Sequence, residues 1–564
     1  MKHAQTPETE ARDAEAAAKQ VRGRHFAPDA AAPLTTAQDG PAPGDRLAKK
    51  AHGSVAGSVA LVALCAVAAA FCALVVWGSR TFQVSFDAVV ATLAGPLEGT
   101  GSGMLESALV AVVPPTVAVA VAAAALVWWL RRRAEKAAGT PGPASERALK
   151  QALWTRRGLL GGAAAVVAGS AVAGDRHFRV LDYLGGQLSE TDLYQRVYVD
   201  PRTVTITAPE RKKNLLWIYL ESMETTYAST EAGGRQDVNY LPNLTRLAEE
   251  NVSFSNTERL GGSRPVTGTT WTIGSLVSSS SGVPFRFPVE NGNETYQNVD
   301  GFATGLYAIG DFLRDQGYTQ EFACGSDASF GGRRNYFTTH GGYDFYDLYT
   351  ARANGDIPED YYVWWGFEDA RLFPIAKKEL TRLAAAGEPF NFTMLTVDTH
   401  HVDGYVCDLC GSAYENTTAN VVACSDGQVG EFISWVKEQP WYEDTVVVIV
   451  GDHPRMDANL VDGVEYLDRT EYNCILNGPA ADAEVLTGRE FTPMDLFPTV
   501  LTAMGYSIDG ERLGIGTNLY CGEPTLAEQM GVQALQVELG KRSEWFGRTF
   551  SPELHEQGVA VEES

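Results

Sequence analysis

The chain has 564 residues, too many for one ordinary soluble domain. Its formal net charge of -25 argues against nucleic-acid binding through a broad basic face and fits a solvated acidic surface. The apolar residues are spread unevenly, and the longest runs lie in the N-terminal third.

Residues 1–50 are rich in Ala, Pro, Asp and Glu and poor in aromatics. Such a segment buries too little apolar surface to offset its ordering entropy, so a disordered tail is expected. Three apolar runs follow, at about 53–78, 103–130 and 158–174. The first two are long enough to cross a hydrocarbon core of about 30 Å as helices. The second contains Pro114-Pro115, which predicts a kink. The third is shorter and rich in Ala and Gly, so a packed amphipathic or re-entrant segment competes with a span. Lys49 and Lys50 precede the first run, Arg131 to Arg133 follow the second, and Arg156 and Arg157 precede the third. With three alternating helices these clusters fall on one side, which the distribution of positive charge assigns to the cytoplasm. The chain is then a multi-pass cell-membrane protein. A linker over 176–210, an exported catalytic domain over 211–525 and a C-terminal tail over 526–564 are expected outside.

The exported part alternates short apolar runs with stretches of helical spacing. "NLLWIYL" (214–220), "TQEFACG" (319–325), "FTMLTV" (392–397) and "DTVVVIVG" (444–451) read as strands buried on both faces. With helices between them, they indicate an α/β fold with a mostly parallel sheet. Ligands in such sheets bind beyond the carboxyl ends of the strands. Glu221 follows the first strand, Asp398, Thr399, His400 and His401 follow "MLTV", and Asp452-His453 follows "VVVIVG". One sheet edge would therefore gather Glu221, Asp452, His453 and His400. Hard oxygens with an imidazole suit a divalent cation such as Mn²⁺, Mg²⁺ or Zn²⁺. Each acid taken singly also reads as a helix cap or a solvated loop residue.

A nucleophile is expected in "GGSRPVTGTTWTIGSLVSSSSGVPF" (261–285), where Gly, Ser and Thr give way to apolar residues at helical spacing. A hydroxyl at a helix N-terminus meets free backbone N–H groups and the positive dipole end. Spacing alone leaves Thr267, Thr269, Thr270 and Thr272 open, and capping is the plainer role for any of them. Cys65 and Cys72 lie in the first apolar run and read as fillers. Cys407 and Cys410 form a CxxC without a second such pair, so disulfides are expected, with Cys424 a plausible partner. Tyr361, Tyr362, Trp364 and Trp365 cluster in the 351–366 loop, where they would stack on sugar rings or pack in the core.

The motifs "NLLWIYLESMETTY", "GTTWTIGSLVSSSSGVPF", "GGYDFYD", "LTVDTHHVDGYVC" and "VVVIVGDHPRM" span residues 214–456 in order. Together they resemble the membrane-anchored phosphoglycerol transferases of the alkaline phosphatase/sulfatase superfamily, and within it the phosphoglycerol transferase I group. Lipoteichoic acid synthases are a more distant likeness. The resemblance implies a sheet sandwiched by helices, with Glu221, Thr269, Asp452 and His453 as metal ligands and Thr269 as nucleophile. It also implies that His400 and Arg334 bind substrate, and that the cation is Mn²⁺ before Mg²⁺ or Zn²⁺. The implied reaction moves phosphoglycerol from phosphatidylglycerol to a glycan or polyglycerophosphate acceptor through a phosphothreonine-type intermediate. Phosphoethanolamine transfer and a non-catalytic module that binds anionic polymers are the alternatives. Two departures stand out: Val402 replaces the family's usual Pro, and Arg333 adjoins Arg334. No "CxPSR" segment is present, which speaks against a formylglycine sulfatase.

Overall fold

The computed structural model describes residues 54–84, 86, 89, 90, 102–138, 142–286 and 301–553. The expected tail over residues 1–50 lies outside them. Among the described residues three helices are long and apolar enough to cross a membrane: α1 (Val55–Thr81), α2 (Ser102–Ala138) and α3 (Pro143–Phe178). The chain is thus a membrane protein. α1 has 27 residues, and at about 1.5 Å per residue it outreaches a hydrocarbon core. α2 continues through Pro114 and Pro115, the position of the expected kink. α3 is longer than its apolar run because the charged segment before it is helical too, with Lys150 paired to Glu146 one turn away at 2.7 Å.

Two compact units are distinguished. Among the described residues, the first comprises 54, 128–138 and 142–155. In it Arg132 lies over Trp128 and Arg133 over Trp129, pairing amphipathic rings with cations as at a membrane–water boundary. The second comprises residues 55–127 and 156–564. There Leu61, Cys65 and Ala68 of α1 pack with Ala123, Val127 and Ala163, small side chains that let helices approach closely.

A six-stranded sheet organises the second unit. Its strands are β1 (Asn214–Leu220), β2 (Thr319–Cys324), β3 (Asp344–Tyr346), β4 (Phe390–Leu395), β5 (Thr445–Gly451) and β6 (Asn473–Leu476). They lie in the order β3-β2-β4-β1-β5-β6, and only β6 runs antiparallel to its neighbour. The period-two geometry of a strand splits each apolar run between two faces. Leu216, Ile218, Phe392, Met394, Val447 and Ile449 pack beneath helices Asp369–Ala386 and α5 (Thr417–Lys437). Leu215, Trp217, Tyr219, Val446 and Val448 face the opposite core, which includes α4 (Thr272–Ser281). Because β1 lies between β4 and β5, the carboxyl ends of these three strands are neighbours.

Two segments are more ordered than expected. In the 176–210 linker, Leu193 and Tyr194 are buried in the main core. The expected tail from 526 forms helices Leu526–Met530, Val532–Gly540 and Glu544–Phe550, and buries Leu535, Leu539, Phe546 and Phe550. Its acidic residues hid this pattern because only one narrow stripe of each short helix is apolar. Residues 554–564 lie outside the described residues.

Gly451 ends β5 where no side chain fits: a Cβ there would stand 1.8 Å from the Met223 carbonyl oxygen. Since that oxygen belongs to packed backbone and cannot swing aside, Gly451→Ala should lower stability by about 1–3 kcal/mol. Thermal unfolding of the detergent-solubilised protein measures this, and an unchanged midpoint would contradict it.

Candidate active site

Glu221 is the residue after β1. Its backbone N–H donates to Thr396 Oγ1 at 3.0 Å, its carbonyl accepts from Thr399 Oγ1, and its Oε1 accepts from Ser222 Oγ at 2.7 Å. Ser222 takes a left-handed φ of 51°, which turns the chain sharply so that its own N–H donates to Asp452 Oδ1 at 2.7 Å. Asp452 follows β5, and its Oδ1 also accepts the His453 N–H at 2.7 Å. His453 Nδ1 lies 2.9 Å from the Pro454 carbonyl, which only accepts, so Nδ1 carries a proton and Nε2 faces the carboxylates. That nitrogen is 3.5 Å from Glu221 Oε1 and 3.4 Å from Asp452 Oδ2.

The hydroxyl that completes this cluster belongs to Thr272. Its Oγ1 is 3.3 Å from Glu221 Oε2 and 3.4 Å from His453 Nε2. Thr272 is the first residue of α4, where backbone N–H groups lack intrahelical partners and the helix dipole favours negative charge. Thr272 is also partly exposed.

The structure does not bring Thr269 to this cluster. Thr269 is 0% exposed, its hydroxyl donates to the Val266 carbonyl at 2.9 Å, and it accepts the Val266 N–H at 3.1 Å. It closes a tight turn before the helix and spends its hydroxyl on backbone. Thr270 Oγ1 is buried without a hydrogen-bond partner, and Thr267 donates its N–H to Gln536.

Charge decides what this cluster can hold. Glu221, Asp452 and His453 are nearly or wholly buried. Moving each carboxylate out of water costs on the order of several kcal/mol unless it is compensated. Burial, then the charge of Glu221, pushes Asp452 up to about 7. Burial also opposes ionisation of Glu221, but the fields of His400 and His453 outweigh it and hold the group below the usual carboxylate range. Burial disfavours the His453 imidazolium, yet Asp452 and Glu221 raise its pKa overall. Two acids and an imidazole thus compete for protons in one dry pocket. Asp452 Oδ2 is buried and has no hydrogen-bond partner. Ligands about 2.1 Å from a tetrahedral cation stand about 3.4 Å apart. The separations of 3.3 to 3.5 Å among Glu221, His453 and Thr272 match that spacing. The donor set fits one divalent cation, which would satisfy the orphaned oxygen and offset the buried negative charge.

A buried ionic layer supports the pocket. Arg469 pairs with Glu224, whose Oε2 also accepts from Thr226 Oγ1 at 2.6 Å. Arg455 donates to Asp457 Oδ1 at 2.7 Å and to the Thr399 carbonyl at 2.8 Å. The end of α1 joins this layer: Arg469 donates to the Gln83 carbonyl at 2.7 Å, Gln83 N–H to Met456 at 3.0 Å, and Ala458 N–H to Thr81 at 3.0 Å. The loop after His453 is thus hydrogen-bonded to the end of a membrane-length helix.

His400 lies close enough to Glu221 to act on its charge. Burial holds its imidazole below the usual histidine range, and its Nδ1 is 2.7 Å from the His401 carbonyl, which leaves Nε2 free. Trp365 leans on the His400 ring at 4.3 Å between centroids. Asp398, at the same strand end, turns away: it accepts the Asp369 N–H at 3.1 Å, and burial followed by the Asp369 charge pushes it up to about 9. Arg334 is half-exposed, pairs with Asp347 at 2.5 Å and stacks over Phe345. None of these contacts reaches the cluster. Arg333 is buried and donates to Ser326 Oγ and to the Asp327 and Phe330 carbonyls, which makes it a loop brace. Spacing left Thr272 open among four threonines and the family likeness favoured Thr269, although the run "TIGSLV" starts its helical periodicity at Thr272.

Removing one ligand should remove the cation. Asp452→Asn is expected to weaken binding of a divalent cation by at least about tenfold, read by calorimetric titration of Mn²⁺ and Zn²⁺ into chelator-treated protein. Saturating cation should also raise the melting temperature of the unaltered protein, because a ligand that binds only the folded state stabilises it. Wild-type affinity in the variant would contradict the ligand set.

Phosphoglycerol transferase I of Salmonella choleraesuis is 32% identical over 364 residues, covering 63% of this chain and 45% of that protein. The Salmonella typhi protein of the same name matches to the same extent. The chain spans about half the length of the curated relatives it matches. Among solved structures, lipoteichoic acid synthase LtaP from Listeria monocytogenes aligns with a TM-score of 0.43 and 18% identity, covering 57% of this chain and 79% of that one. Lipooligosaccharide phosphoethanolamine transferase EptA from Neisseria meningitidis aligns with a TM-score of 0.44 and 14% identity, covering 81% and 85%. The sulfatase family's sequence profile matches residues 213–506, more than half of the chain, and the chain belongs to the sulfatase family of the alkaline phosphatase/sulfatase superfamily.

Proposed function

We propose that this protein is a metal-dependent phosphoglycerol transferase. It takes phosphoglycerol from phosphatidylglycerol and passes it to a glycan or polyglycerophosphate acceptor on the outer side of the membrane. The observation that carries the reading is the convergence of the Thr272 hydroxyl with Glu221, Asp452 and His453. The similarity to phosphoglycerol transferase I proteins supports the transferred group. Three membrane-length helices support a lipid donor.

In the first step the Thr272 oxygen forms a bond to phosphorus and the bond to the diacylglycerol oxygen breaks. The Thr272 proton passes to Glu221 Oε2, 3.3 Å from the Thr272 oxygen, and on to the departing diacylglycerol oxygen. In the second step an acceptor hydroxyl attacks the same phosphorus, and the threonine oxygen leaves and regains a proton. Glu221, Asp452 and His453, with Thr272, would hold the divalent cation, whose bound charge lowers hydroxyl pKa and neutralises phosphoryl oxygens. Manganese is our first choice, with magnesium and zinc as alternatives. The N-terminus of α4 favours negative charge at Thr272 Oγ1. An incoming phosphodiester favours protonation of His400, whose Nε2–H then donates to a phosphoryl oxygen. Arg334 serves as a further phosphate contact by moving off Asp347. Trp365, beside His400, and the exposed Tyr362 offer flat faces for a sugar ring.

Holding the site close to the bilayer gives proximity to a donor that barely leaves it. The hydrogen bonds from the end of α1 to Met456, Ala458 and Arg469 supply that tether.

Thr272→Ala should reduce release of diacylglycerol from labelled phosphatidylglycerol by at least about 10³-fold. Thr269→Val, which keeps shape and removes the other hydroxyl, should retain turnover per folded molecule. Mass spectrometry of the quenched reaction should find glycerophosphate on the peptide that contains Thr272. Loss of activity in Thr269→Val with full activity in Thr272→Ala would reverse the assignment, and a phosphoethanolamine adduct would change the donor.

A further inference from the structure

A second group of metal-capable side chains lies away from the carboxylate cluster. Cys407 and Cys410 sit on the loop between β4 and α5, and Cys424 sits on α5. Their sulfurs all lie within 4.8 Å of one another. Cys407 Sγ is 3.6 Å from Cys410 Sγ and 3.8 Å from Cys424 Sγ. Among the described residues every cysteine is a free thiol, which corrects the expectation of disulfides.

The spacing discriminates between the two chemistries. A disulfide brings two sulfurs to about 2.05 Å and leaves a third thiol over. Thiolates about 2.3 Å from a tetrahedral zinc stand about 3.8 Å apart, and all three are used. The local backbone matches as well. The Cys410 N–H donates to the Cys407 carbonyl at 3.0 Å, so the CxxC folds into a tight turn that aims both sulfurs at the helix. One helical turn beyond Cys424, Gln428 points its amide at the cluster, 3.5 Å from Cys424 Sγ and 4.0 Å from Cys407 Sγ. Gln428 is 8% exposed, and its Oε1 is buried without a hydrogen-bond partner. Amide nitrogen and oxygen exchange places by a half-turn. In one orientation the N–H supports the thiolates, and in the other the oxygen takes a coordination position.

We propose that Cys407, Cys410 and Cys424, completed by Gln428 or water, hold a thiophilic divalent cation of the zinc type. This site is distinct from the Glu221, Asp452 and His453 cluster, and its role is to fasten the loop that carries His400 to α5. Beside the CxxC, Val406 and Leu409 are exposed at 51% and 63%, so these two apolar side chains do not hold that stretch to the core. The CxxC lacks a second pair in the sequence, but a lone CxxC needs only one further thiol and one more ligand, which α5 presents one turn apart.

The test uses the full chain in detergent, purified without oxidant, with Zn²⁺ and Co²⁺ as probes. The Asp452→Asn variant should retain one tightly held zinc per chain, and Co²⁺ in its place should give a sulfur-to-cobalt charge-transfer band. Cys424→Ser should lose both the zinc and the band. Should that variant fail to fold, alkylation of the wild type serves instead. Zinc should protect Cys407, Cys410 and Cys424 together, and chelation should release all three. Absence of zinc and of the band in the Asp452→Asn protein, or a disulfide joining any two of the three in non-reduced peptide maps, would overturn the proposal.

Discussion

Two buried carboxylates beside one imidazole set the problem that this structure solves. Glu221 and Asp452 end neighbouring parallel strands, so the sheet brings their charges together whatever the surroundings do. Protons alone are a poor answer. Sharing them leaves Asp452 Oδ2 buried without a partner and raises the Asp452 pKa to about 7. A divalent cation answers both demands, and the Thr272 hydroxyl is within ligand spacing of the same point. The chemistry available to the protein follows from that constraint: a hydroxyl sharpened by positive charge, aimed at an anionic centre.

The rest of the fold keeps the carboxylates from escaping each other. Ser222 in a left-handed conformation, Gly451 against the Met223 carbonyl, the Glu221 N–H donated to Thr396 and the Thr399 hydroxyl donated to the Glu221 carbonyl fix Glu221 and Asp452 in place. Beneath them, Glu224, Arg455, Asp457 and Arg469 balance charge in a layer that water barely reaches. Buried ion pairs add little net stability against apolar packing, but losing one partner is costly. Such a layer therefore suits positioning better than stabilisation. Its hydrogen bonds to Thr81 and Gln83 extend the same network to the end of α1.

Much of this was legible in the residues. Runs such as "NLLWIYL" and "VVVIVG" are apolar on both faces, which only a doubly covered parallel sheet explains, and the acids that follow them must then sit at its carboxyl edge. The choice of hydroxyl was not legible from the motif likeness. Thr269 and Thr272 differ by three residues, and only the start of α4 decides which one meets the free N–H groups. The periodicity of Ile273, Leu276 and Val277 marks that start, and it is the signal that could have chosen Thr272. The cysteine cluster was hidden for another reason. Cys424 was legible as a plausible disulfide partner of the CxxC, but three thiols gathered at one point depend on α5 turning that face towards the loop, a relation that linear spacing does not carry. The terminal helices after 526 were missed because each buries only one or two side chains.

Anomalous diffraction from crystals grown with Mn²⁺ tests the central claim most directly. The account predicts one strong peak at the manganese edge within bonding distance of Glu221, Asp452, His453 Nε2 and Thr272 Oγ1, with the Thr269 side chain still turned to Val266. A peak elsewhere, or one bound by Thr269 in place of Thr272, would contradict it.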